Sequence, residues 1–186
     1  MKLRQNTILF FTVILVSLLA VNLAAHFGGG SGTENDPWKI QTPLHLHNVR
    51  NYLGVEHSDK HFVLDANIYL DVIPWSENGG WEPIGDLENP FTGTIDGAGY
   101  GINSLTIDRN NDYQGLFGVT NGARISNMVF SFASISGRRT VGVLTGSAFN
   151  TEIYRCHVWD GMVEGSYYVG GIVGYLEDSV ILLSFS

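Results

Sequence analysis

The sequence predicts an all-β chain, a right-handed parallel β-helix carrying a short N-terminal capping helix. Three observations carry this reading. All five prolines lie at or before Pro90, while Phe91 to Ser186 holds 15 glycines and no proline, which suits ladders whose amides must all donate. Gly118, Gly146 and Gly174 lie 28 residues apart, and a fixed period in the twenties marks a solenoid. Each period is filled by short β-prone runs broken by Gly, Asn or Ser, without any ten-residue stretch of helical periodicity.

Composition agrees. The 186 residues are 44% apolar, 12% aromatic and only 15% charged, the reverse of the disordered signature and enough for a core. Cys156 is the sole cysteine, so an intrachain disulfide framework is excluded. Acidic residues outnumber basic ones 18 to 10, which argues against a nucleic-acid partner.

The chain divides into four stretches. Residues 1–25 read as a secretory signal peptide: Lys2 and Arg4 precede an apolar run from Ile8 to Ala20, and small residues Ala24 and Ala25 follow. Left uncleaved, the segment would be the chain's only membrane contact; removed, it leaves 8 basic residues against 18 acidic and a secreted or surface-displayed protein. Residues 26–37 form a glycine-rich, flexible lead-in. Residues 38–90 hold an N-terminal cap and irregular first coils. Trp38-Lys39-Ile40 reads as a strand. Thr42-Pro43 supplies an N-cap hydroxyl and a first-turn proline for a helix running to Leu53, with Leu44, Val49, Tyr52 and Leu53 on its buried side and Gly54 closing it. His61–Leu64 and Ile68–Leu70 read as two more strands.

Residues 91–186 carry the repeats. Ile125 and Ile153, Met128 and Cys156, Phe130 and Val158, Ile135 and Val163, and Val141 and Val169 share the 28-residue spacing. With three strands per coil, stacked coils place equivalent side chains in interior ladders about 4.8 Å apart. The third unit reads as one residue short, which sets Val180, Leu183 and Phe185 over Ile153, Cys156 and Val158. An earlier unit is expected where Ile102–Ile107 matches Ile125–Phe130. The glycines are expected at turns of positive φ. The last strand, Val180–Leu183, stands open at the final coil, and a solenoid edge of this kind invites association, so further coils are expected downstream.

Two strings, Gly115-Leu116-Phe117-Gly118 and Gly171-Ile172-Val173-Gly174, resemble the motif that names the GLUG repeat family, and Val143-Leu144-Thr145-Gly146 is a degenerate copy. Gly32–Trp38 resembles the family's lead-in and Phe91–Gly97 its first coil. The resemblance covers roughly residues 28–186. It implies a β-helical stalk or interaction surface on secreted and surface proteins, including regions beside the protease domain of immunoglobulin-A-cleaving metallopeptidases.

Chemistry is sparse. His45 and His47 are two apart on the helix and face different ways. His57 and His61 have ligand-like spacing, yet the intervening residues are Ser-Asp-Lys, without the glutamate a zinc-protease helix uses; no metal or cofactor is expected. Asp108–Asp112 begins like a calcium loop and fails, with Tyr113 and Val119 where glycine and glutamate belong. The carboxylates that could serve a polysaccharide-cleaving enzyme are Asp65, Asp71, Asp86, Asp96 and Asp108, none recurring at the 28-residue offset. Asp96, before Gly97, suits a turn. Cys156 falls in an apolar ladder and reads as a small buried hydrophobe. Alternation along that strand puts His157 and Trp159 outward with Tyr154 nearby. These three are the candidate ligand contacts. The functional expectation is a non-catalytic adhesion, interaction or scaffold module contacting glycans, matrix or neighbouring surface proteins; the alternative is a carbohydrate-active β-helix enzyme of the polysaccharide lyase or glycoside hydrolase kind.

Overall fold

A computed structural model describes residues 26–186; the signal peptide expected over residues 1–25 lies outside them. The chain is a parallel β-solenoid. It enters through β1 (Trp38–Ile40), passes a short α-helix, α1 (Pro43–Asn48), and returns as β2 (His61–Leu64) and β3 (Ile68–Tyr69). After a long loop come β4 (Thr94–Asp96), β5 (Gly101–Asn103) and β6 (Thr106–Asp108). The next coil holds β7 (Phe117–Asn121), β8 (Arg124–Ser126), β9 (Val129–Ser131), β10 (Ser134–Ser136) and β11 (Arg139–Val141). It is repeated by β12 (Thr145–Phe149), β13 (Glu152–Tyr154), β14 (His157–Trp159), β15 (Met162–Glu164) and β16 (Tyr167–Val169). Two strands, β17 (Val173–Glu177) and β18 (Val180–Leu182), begin another coil. A full coil therefore has five short strands, not three, because a corner follows almost every third residue.

Every strand pairs in parallel with its copy in a neighbouring coil, giving five sheets among the described residues, the longest ordered β1-β2-β4-β8-β13-β18. Its interior column is Trp38, Phe62, Ile95, Ile125, Ile153 and Ile181. Ile68, Ile102, Phe130 and Val158 form a second column. Ile107, Ile135 and Val163 form a third. Alternation along β4, β5, β6 and β8 to β10 buries the middle side chain and leaves its neighbours more outward, while β1 buries Trp38 and Ile40 about an exposed Lys39.

Two registers differ from expectation. The 28-residue offset continues into the last coil, so Ile181 and not Val180 covers Ile153, Phe185 bridges His157 and not Val158, and Ser184 bonds to Cys156 through Oγ at 3.0 Å where Leu183 was expected. Likewise Ile102 pairs with Phe130 and Ile107 with Ile135, while Ile125 rests on Ile95. Short β-prone strings on successive faces of one coil resemble each other, and the unbroken apolar run Val180–Leu183 lacks the alternation that would fix its register.

The corners do not explain the repeat glycines. Positive φ recurs at 28-residue spacing, but mostly on other residues: Gly122, Asn150 and Asp178 have φ of 71°, 46° and 49°, and Asn127, Arg155 and Leu183 have 52°, 52° and 51°. The repeat glycines serve close packing instead. A Cβ on Gly146 would lie 2.6 Å from both the Thr140 oxygen and the Tyr113 Cα.

The N-terminal end is closed. Thr42 Oγ1 accepts from His45 N at 3.1 Å as the N-cap of α1, but the α-helix stops at Asn48 and tightens into a 3-10 turn over Val49–Asn51, so the expected helix to Leu53 is shorter. Leu46 and Val49 are its buried residues, whereas Leu44 is exposed. The glycine-rich lead-in packs against the first coil. Phe27 stacks on Trp38 with centroids 5.0 Å apart, Gly28 N donates to Lys39 O at 2.8 Å and Lys39 N to Gly29 O at 2.9 Å. A Cβ on Gly32 would strike the Trp38 ring at 2.6 Å. Glycine there lets the backbone lie on the indole.

Candidate functional site

The three outward residues singled out by sequence fall on two faces. Tyr154 ends β13, 36% exposed, with the Arg155 guanidinium 4.9 Å from its ring centroid. His157 and Trp159 flank Val158 on β14, so both point away from the core. They meet each other through Phe185, which stacks on the His157 ring at 4.1 Å and receives Trp159 edge-on at 4.9 Å. Trp159 is 54% and Phe185 45% exposed. His157 Nδ1 is buried without a hydrogen-bond partner. The structure thus joins His157 and Trp159 and leaves Tyr154 on the neighbouring sheet. Phe185 and Arg155 were missed. The unbroken 28-residue offset from His157 would have found Phe185.

A second aromatic group lies on another face of the same coils. Tyr175 meets Tyr168 at 5.4 Å and Phe149 at 6.0 Å, and its hydroxyl donates to Glu177 Oε2 at 2.8 Å. Arg139 sits 5.3 Å over the Tyr167 ring. Such faces can stack on the CH faces of a sugar or on another ring.

The carboxylates do not converge. Asp65 accepts from Gln41 Nε2 at 2.8 Å. Asp86 accepts from the Glu88 and Asn89 amides at 2.9 and 2.8 Å. Asp96 accepts from Ala98 N at 2.8 Å, forming the turn expected of it, and from Asn127 Nδ2 at 2.9 Å. Asp71 and Asp108 are exposed. Asp112, from the calcium-like string, is held by Arg138 through two bonds of 2.8 Å, and that hydrogen-bonded guanidinium keeps its carboxyl below the ordinary range.

A polar cleft of about 490 Å³ lies between Arg50, Glu82, Asp86, Arg109 and Tyr113. Its cations are engaged within the fold, Arg50 Nη2 donating to Glu82 O at 2.9 Å and Arg109 Nη2 to Gly80 O at 3.0 Å. The histidines are likewise apart. His45 Nδ1 accepts from Gln41 N at 3.3 Å, His47 packs against Trp75 and Trp81, His57 lies edge-on to Tyr52, and His61 opens β2. Among the described residues no three His, Cys, Asp or Glu side chains cluster as metal ligands. Cys156 is buried as expected. Burial pushes its thiol up to about 11, so it carries no thiolate at neutral pH.

No family model matches the chain. Over 128 residues it is 42% identical to a Gly-rich membrane protein of Evansella cellulosilytica, a match covering 66% of this chain and 14% of that one. It is 31% identical over 163 residues to halomucin of Haloquadratum walsbyi, covering 84% of this chain and 2% of that protein. An immunoglobulin A1 protease of Streptococcus sanguinis is 32% identical over 107 residues, 56% of this chain and 5% of the relative. A crystal structure described as an immunoglobulin A1 protease from Bacteroides ovatus superposes with a TM-score of 0.66 at 26% identity, covering 82% of this chain and 45% of that one. The chain is a β-helical repeat protein. It spans only a small part of the length of these sequence relatives. No helix among the described residues is long and apolar enough to cross a membrane.

Proposed function

We propose that this chain is a non-catalytic β-helical module, secreted or displayed at the cell surface, that serves adhesion or scaffolding by contacting glycans, matrix or neighbouring surface proteins. Its repeats are read as GLUG-type over 91–186, preceded by a cap at 38–90, a lead-in at 26–37 and an export signal at 1–25. The names of the relatives, a membrane protein, a halomucin and a protease that acts on immunoglobulin A, support an extracytoplasmic setting. One observation carries the binding reading: Trp159 and Phe185 meet at 4.9 Å while roughly half of each ring stays in water. Exposed, mutually braced aromatics offer stacking area at little ordering cost.

The test is a glycan-array and matrix-protein binding screen with the whole chain, beside a polysaccharide depolymerisation assay. Binding is expected, with Trp159→Ala weakening it about tenfold and leaving the circular dichroism unchanged. Release of reducing ends, abolished by substitution of a single aspartate, would make the chain an enzyme instead.

A further inference from the structure

The sequence contains two Asn-Gly pairs, Asn78-Gly79 and Asn121-Gly122, and the fold treats them in opposite ways. Succinimide formation needs the glycine amide nitrogen to attack the asparagine side-chain carbonyl carbon, so a pair reacts only where both groups are free to meet.

At Asn121 they are held apart. Asn121 is the last residue of β7, where its own N–H donates to Phe91 O at 3.0 Å. Gly122 N donates to Phe149 O at 3.0 Å, and Asn121 Oδ1 accepts from Asn150 Nδ2 at 3.1 Å. The nucleophile, the electrophile and the backbone between them are each bound to the adjacent coil.

At Asn78 none of this applies. The pair forms the two central positions of a turn closed by Gly80 N donating to Glu77 O at 3.0 Å. Both central residues have positive φ, 54° and 87°, the geometry that an Asn-Gly turn favours. Asn78 is exposed. Among the described residues, neither its carboxamide nor the Gly79 N–H has a hydrogen-bond partner. Arg109 adds an electrostatic contribution. Its side chain runs along Gly79, where a Cβ would lie 3.3 Å from the Arg109 Cγ and 3.5 Å from its Cζ, so a fixed positive charge favours the deprotonated amide that attacks.

We propose that Asn78 is a site of spontaneous modification, converting through a succinimide to aspartate and isoaspartate in the folded protein, while Asn121 is protected. The Gly79 amide loses its proton to solvent base and its nitrogen bonds to the Asn78 Cγ. The tetrahedral intermediate expels the side-chain nitrogen as ammonia, closing a five-membered imide. Water then adds to one of the two imide carbonyls and breaks its bond to nitrogen, leaving aspartate or, when the main-chain carbonyl is attacked, isoaspartate. Isoaspartate inserts a methylene into the main chain of the loop that lies along β6, where Asp108 N donates to Gly79 O at 3.0 Å and Trp81 N to Thr106 O at 2.8 Å. Either product adds a negative charge beside Arg109.

Trypsin separates the two sites, since cleavage after Lys60, Arg109 and Arg124 puts Asn78 in the peptide 61–109 and Asn121 in 110–124. The full chain is aged at mildly alkaline pH, folded and in guanidinium chloride, and the conversion at each asparagine is located by fragmentation mass spectrometry. The folded protein should convert Asn78 about tenfold or more faster than Asn121, in line with protection by local structure, and unfolding should bring the two rates together. Equal rates in the folded protein, or an Asn78 that survives folded while the unfolded chain converts, would overturn the proposal.

Discussion

At the first rung of the solenoid Trp38 is 4% exposed beneath Phe27 and Tyr52, and Phe62 above it is 1% exposed. At the last rung Leu176 and Val169 are 41% and 44% exposed, although Ala148 and Val141, their partners one coil earlier, are fully buried. Inward side chains are thus covered at the first rung and less so at the last described one. What covers the first is sequence that breaks the repeat: a glycine-rich lead-in folded over an indole, a six-residue helix, and an aromatic series passing from Trp38 through Phe62 and Phe91 to Phe117. Regular coils supply templates for one another and leave the outermost edge unpaired, so closure has to come from irregular chain.

That contrast is most directly broken by deleting inward side chains from the two ends. Phe62→Ala removes a ring in contact with Phe27, Trp38, Tyr52 and Phe91 and should cost about 3–5 kcal/mol. Val163→Ala, at the end of the Ile107–Ile135 column, should cost less than about 1 kcal/mol, because the site is only partly buried and can collapse. Urea denaturation of both variants measures the difference. Comparable losses would mean that the last coil is packed as tightly as the first.

The regular half was legible because its signal is periodic. Ile125 and Ile153, or Phe130 and Val158, could be paired from the sequence alone, since one offset repeats and side chains at equal offset must superpose. The number of strands was not legible, because three-residue strands with a corner after each carry too little pattern to separate from turns. Nor was the lead-in: glycines read as flexible, whereas Gly32 is glycine because the Trp38 ring leaves no room for a Cβ. The same ambiguity hid Phe185 from the aromatic site. Because Val180-Ile181-Leu182-Leu183 is apolar at every position, a slip of one residue still lands apolar groups over Ile153, Cys156 and Val158, and only the backbone pairing to His157 resolves it.

Glycine substitutions sharpen the distinction between packed and open positions within the regular half. Gly146→Ala places a methyl 2.6 Å from the Thr140 oxygen and the Tyr113 Cα; both are backbone atoms that cannot swing aside, and the loss should be about 1–3 kcal/mol. Gly122→Ala meets nothing within 4 Å, but φ there is +71°, so only the left-handed penalty applies, about 1 kcal/mol. The corner equivalents Asn150 and Asp178 already accept that conformation. Thermal unfolding of the two variants should rank them in this order, and the reverse ranking would show that corner conformation, not coil contact, limits the repeat.

The smallest effect is a pH dependence confined to the closed end. His47 lies between Trp75 and Trp81 at centroid distances of 6.3 and 6.2 Å. Burial holds its pKa below the ordinary 6.5, the Arg50 charge lowers it further, and Glu82 partly opposes this. A histidine whose folded pKa is depressed is protonated first in the unfolded chain. Its contribution to stability is therefore complete above the unfolded value and declines as pH falls from there to the folded value, below which it changes no further. His45, also lowered by burial, acts in the same direction and is left in place as the background. His47→Phe keeps an aromatic ring against the two indoles and removes the titration. Between about pH 7.5 and about pH 5, above the range where carboxylates titrate, the urea midpoint of the native protein should fall by more than that of the variant. Equal falls would mean that the imidazole reaches water when protonated, and that the N-terminal end is more open than its packing indicates.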